Sequence, residues 1–188
     1  MSHASRFKQI PVVLSVMDTV FETGTRVERR DGVEWRELAL TIAFCELVGI
    51  IPGMLTAAEL ETWYRTLEKP SASPPDWVFG PVWGLLFALM GVSLYLVRRE
   101  RVDSRSKTRA IGLFVTQLAL NATWSFVFFG RRSTRGGFAI ILLLGPAIAV
   151  TIGSFARINR RSALLLVPYL LWVGFATYLN YELWRLNR

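Results

Sequence analysis

The chain has 188 residues, 52% of them hydrophobic, with 22 Lys and Arg against 14 Asp and Glu, a formal net charge of +8. One cysteine and one histidine exclude an intrachain disulfide, and His3 in the N-terminal tail leaves no core histidine for a zinc site, a His-ligated haem or a Ser-His-Asp triad. The charges gather in short segments between long uncharged stretches, which places the basic surplus at membrane borders and not on nucleic acid.

Residues 1–35 form a polar tail apart from the eight-residue run Ile10–Met17, which is too short to cross a bilayer. Asp18 follows it without a small-residue cleavage pattern, so the tail is expected to be a disordered or surface-lying segment and not a signal peptide. Residues 36–188 are expected to form one membrane domain. Five spans are predicted over about 38–56, 77–97, 110–130, 136–156 and 162–184. Each approaches the roughly 20 residues that carry a helix through a hydrocarbon core of about 30 Å. None alternates as a barrel strand would, and backbone in lipid must satisfy its own hydrogen bonds. The fold class is therefore an all-α integral membrane protein, a five-transmembrane-helix bundle.

The first span holds Glu46, the one acid in the interior of a span (Glu182 lies at the end of the fifth), in phase with Gly49 and Gly53. A membrane acid is a functional candidate, or a protonated group bonded to a neighbour. The loop from Ala57 to Asp76 is expected to carry a short helix over Ala57–Leu67, whereas prolines exclude one over Lys69–Pro75. The second span opens on "PPDWVFGPVW": Trp77 suits the interface, Pro81 lies near the first turn, and Gly80 and Gly84 form a G-x-x-x-G pair expected to admit a neighbouring helix. Trp83, Phe87 and Met90 follow on one face.

In the third span Gln117, Asn121, Trp124 and Phe128 recur at helical spacing, and amides in hydrocarbon turn toward protein or a cavity. The fourth span carries a small-residue ladder, Gly145, Ala149 and Gly153, which close helix packing explains. In the fifth, Tyr169, Trp172, Ala176 and Asn180 share a face, with Pro168 expected to loosen the helix above them. Leu179, Tyr181 and Arg185 fit the loose L/V-x-Y-x-K/R pattern proposed for sterol contact, which an aromatic belt and a snorkelling arginine explain equally. Thirteen basic residues flank the N-terminal side of the spans against seven on the other, which places the N-terminus in the cytoplasm and the C-terminus outside, in a prokaryotic cell membrane.

Four blocks, "WYRTLEKPSASPPDWVFGPVW" (63–83), "QLALNATWSFVFFG" (117–130), "VPYLLW" (167–172) and "FATYLNYELWRLN" (175–187), resemble the TspO/MBR family of tryptophan-rich sensory proteins and translocator proteins. The resemblance implies a five-helix bundle, usually a homodimer, that binds porphyrins or haem and, in many members, sterols or isoquinolines, with no required cofactor. It carries ligand-binding roles to Tyr64, Trp83, Asn121, Trp124, Trp172 and Ala176; the inward faces add Phe87, Gln117 and Tyr169. The expected function is a membrane receptor or sensor of protoporphyrin IX. Some family members are reported to degrade porphyrin in light, which here would rest on Trp83 and Trp172. A transporter of tetrapyrroles or other amphipaths and a membrane scaffold are the alternatives. One departure stands out: Ala72 occupies a position where the family commonly has a lid tryptophan.

Overall fold

The computed structural model describes residues 32–188, so the tail expected over 1–35 lies almost wholly outside the described residues. Eight α-helices follow in order: α1 (Trp35–Leu55), α2 (Ala57–Glu61), α3 (Trp63–Thr66), α4 (Asp76–Arg99), α5 (Ser104–Ser125), α6 (Thr134–Ala156), α7 (Arg160–Leu165) and α8 (Val167–Leu186). A π-helical turn, Phe126–Gly130, extends α5, and no strand occurs among the described residues. Five helical units are long and apolar enough to cross a membrane: α1, α4, α5 with its π-turn, α6, and α7 with α8.

The helices run past the predicted spans, most of all α5, which begins six residues before the expected 110. Its first turn is charged and lies beyond the apolar run. Asp103 caps it by accepting the Ser106 amide at 2.8 Å, which offsets the lack of intrahelical partners there. The expected break near Pro168 is present: the helix is interrupted at Leu166, and proline has no amide to continue the ladder. The one short helix expected over Ala57–Leu67 is split at Thr62 into α2 and α3, and Lys69–Pro75 is non-helical as expected.

Packing closes these units into a ring. The α1 helix lies along α4 and touches α5; α5 lies along α6; α6 packs on α8 and α7; α7 returns to α4. Gly91 on α4 sets the closest of these approaches, because a Cβ there would collide with the Ile42 backbone of α1. The sequence pattern pointed instead to Gly80 and Gly84. That expectation is corrected: a Cβ at either meets nothing within 4 Å. The ladder of the fourth span is corrected in the same way, since Gly145 and Gly153 also meet nothing and Ala149 is exposed. It faces away from the bundle.

Polar links tie the ends together. Ser93 donates to the Ser162 carbonyl at 2.9 Å between α4 and α7, and Tyr95 accepts the Glu34 amide at 2.8 Å at the start of α1. On the other side the loop is stitched down by Asn187, whose side chain accepts the Glu68 amide at 2.9 Å and donates to the Glu68 carbonyl at 3.0 Å. Arg132 pairs with Glu59 of α2 at 2.7 Å. Each neutral bond is worth about 1 kcal/mol. Asn187→Ala is accordingly expected to raise amide exchange across residues 57–70 roughly tenfold, with α4 and α8 unaffected, as read by hydrogen–deuterium exchange.

Candidate functional site: a cavity beneath the loop

A cavity of about 560 Å³ opens between α1, α4, α5 and α8, roofed by α2, α3 and Ser73. Its volume lies in the range of about 300–1,000 Å³ typical of small-molecule sites. Helix α6 contributes none of its lining. Glycines explain the space: Gly53 on α1 and Gly80 and Gly84 on α4 line it with nothing within 4 Å of a Cβ, so the pair expected to admit a helix instead borders open volume, whereas Gly49 makes room for the Phe87 ring.

Aromatic rings supply most of the wall. Trp83 stacks on Phe87 with centroids 5.6 Å apart and interplanar angle 29°, and Trp172 meets Phe79 edge to face at 5.9 Å. Near the roof, Trp124 stacks on Phe128 at 5.1 Å and 17°, and Tyr64 contacts both Phe128 and Phe129. The π-turn matters here. Successive residues of a helix point about 100° apart, yet Phe128 and Phe129 both reach the cavity, at a helical irregularity of a kind often found at functional sites.

The polar atoms in the wall are held in place. Asn121 donates to the Tyr169 hydroxyl at 3.0 Å, and the Trp124 indole donates to Asn180 Oδ1 at 3.0 Å. Asn180 in turn donates to the Ala176 carbonyl at 2.8 Å. The Trp172 indole nitrogen is buried with no partner among the described residues. At the mouth, Lys69 lies 3.3 Å from Asp76 and 4.4 Å from the Tyr64 ring centroid. Burial, and then the Asp76 charge, push the Tyr64 phenol above its ordinary range, so it stays a neutral donor.

Of the residues singled out from sequence, Tyr64, Trp83, Phe87, Asn121, Trp124, Trp172 and Ala176 line this one cavity. Gln117 and Tyr169 do not. Gln117 is buried one turn from Asn121, its amide 3.9 Å from Met90 Sδ and its oxygen without a partner among the described residues. Tyr169 is fully buried behind the wall, where it meets Asn121 and the edge of Trp83. The sterol pattern splits: Leu179 lines the cavity, while Tyr181 packs on Phe138 and Trp184, and Arg185 bonds Glu182 at 2.6 Å.

Sequence reasoning missed Phe79, Phe129 and the cavity-lining position of Gly80 and Gly84. Phe79 sits four residues before Trp83, so extending that face by one turn finds it. Nothing in the sequence marks the π-turn that turns Phe129 inward. Glu46, in phase with Gly49 and Gly53, also lines the cavity.

A model of the TspO/MBR family matches residues 41–185. The chain is 43% identical over 150 residues to the tryptophan-rich protein TspO of Chlorobaculum tepidum, an alignment covering 80% of this chain and 95% of that one. It is 44% identical over 126 residues to the human translocator protein, covering 66% and 75%. To the tryptophan-rich sensory protein of Cereibacter sphaeroides it is 32% identical over 155 residues, covering 82% and 94%.

Proposed function

The chain belongs to the TspO/MBR family and is a multi-pass integral membrane protein, and from that premise we propose that it is a receptor for porphyrins, with protoporphyrin IX held in the cavity beneath the loop. The observation that carries this reading is the convergence of Trp83, Trp124 and Trp172, from three different helices, on one cavity of about 560 Å³. Large flat rings lose little conformational entropy on binding and gain from stacking at aromatic walls.

The geometry gives each residue a part. Trp83 and Trp172 offer faces and edges to the macrocycle, and Ala176 beside Trp172 leaves the width a larger side chain would fill. Propionates at the mouth would meet Lys69, which Asp76 and the Tyr64 ring already hold there. Haem iron would find no histidine, cysteine or methionine among the lining residues, and Tyr64 is the lining residue of a type that could ligate it. Light-dependent breakdown of the bound porphyrin would rest on the same two tryptophans. The arginine distribution supports a cytoplasmic N-terminus with this loop on the opposite face, in a membrane we take to be a prokaryotic cell membrane.

The test is titration of the detergent-solubilised protein with protoporphyrin IX, read by tryptophan quenching. Saturable binding in the micromolar range is expected, weakened about tenfold in Trp83→Phe and in Trp172→Phe. That corresponds to the loss of about 1.4 kcal/mol of stacking in each. Absence of saturable binding, or wild-type affinity in both variants, would reject the reading.

A further inference from the structure

Glu46 is out of place for a pocket that only receives a dianionic macrocycle. It sits in the middle of membrane-spanning α1 and faces the cavity. No hydrogen bond or ion pair engages its carboxyl among the described residues. The second acidic lining residue, Asp76, is already matched by Lys69 at the mouth. Among the lining residues there is no lysine, arginine or histidine at all.

An acid within a span is costly, and such residues turn toward cavities where a partner can meet them. Here no such partner stands among the described residues. The rings of Phe79, Trp83, Phe87, Trp124 and Trp172 line the same cavity, and their negative faces attract a desolvated cation. One acid without a cationic partner among the described residues, on an aromatic-walled cavity, is the chemistry that recognises a bulky organic cation. It is poor chemistry for an anion.

We propose that the cavity also takes lipophilic aromatic cations, quaternary or protonated amines or their phosphonium analogues, with Glu46 as their counter-ion and the tryptophan faces as their walls. This goes beyond the porphyrin reading, because the ligand carries the opposite charge, although both would occupy the same space.

The experiment uses the full chain in nanodiscs of zwitterionic phosphatidylcholine, with empty discs subtracted. Tetraphenylphosphonium and the neutral triphenylphosphine oxide are titrated in parallel, so the charge is permanent in one probe and absent in the other. The wild type is expected to bind the cation at least about tenfold more tightly than the neutral compound. That preference should collapse in Glu46→Gln and persist in Glu46→Asp, which keeps the charge even if the amide variant folds poorly. No preference in the wild type, or one that survives in a folded Glu46→Gln, would overturn the proposal. Protoporphyrin IX titrated on the same discs separates the two readings. A cation preference in protein that binds no porphyrin supports this site alone, and porphyrin binding without the preference overturns it.

Discussion

Replacing Gly84 by tryptophan is expected to weaken protoporphyrin IX binding at least about 100-fold while the bundle stays folded. Gly84 lines the cavity directly beside Trp83, and a Cβ built on it meets nothing within 4 Å. The new indole therefore enters empty space without displacing a neighbour, and it occupies room that the macrocycle needs. A micromolar ligand is held by about 8 kcal/mol, so forfeiting one ring's stacking together with part of the fit removes about 3 kcal/mol. Helix propensity works in the variant's favour, because glycine is the weaker helix former. Quenching titration measures the loss, and an unchanged melting temperature shows that the fold survived. Gly80→Ala, which adds only a methyl group to the same open wall, should bind almost normally.

The second large effect concerns the same kind of residue in the opposite setting. Gly91→Leu is expected to destabilise the protein by about 3 kcal/mol or more, at the upper end of overpacking costs. The added side chain would run into the backbone of Ile42, which cannot swing aside as a side-chain tip can. The melting temperature in detergent should fall by roughly 10 °C. Gly153→Leu on the outer face of α6 is the matched control, since a Cβ there meets open space. It should shift the melting temperature by a degree or two at most. Equal behaviour of the two variants would mean that α1 and α4 are not packed as described.

These two glycines show what sequence does and does not make legible. Spans are visible because about 20 uncharged residues have one physical solution in a bilayer. Faces are visible because side chains recur every three to four residues, which is how Asn121, Trp124, Trp172 and Ala176 were grouped. Depth along a face is not visible. Gln117 and Tyr169 lie on the same stripes as cavity residues, but one turn further along, or behind the wall, the stripe enters packed core. Nor does a small-residue motif say what stands opposite it. Gly91 meets a helix backbone, Gly84 meets a cavity, and Gly153 meets the outside of the bundle.

The loop was legible for a further reason. Proline fixes the backbone over Lys69–Pro75 whatever surrounds it. What holds that loop down was not legible, because Glu68 and Asn187 are 119 residues apart in the chain. In this chain Tyr64, Phe128 and Phe129 are the aromatic residues grouped under α2 and α3.

The most direct test of the cavity as the porphyrin site is an experimental structure of the protein with protoporphyrin IX. The macrocycle is expected between α1, α4, α5 and α8, in contact with Trp83 and Trp172. A smaller apolar groove of about 190 Å³ lies between α1 and α5, lined by Phe44, Leu47, Val48, Ile51, Pro52, Ala122 and Phe126. Density for the macrocycle in that groove, with the larger cavity empty, would contradict the account.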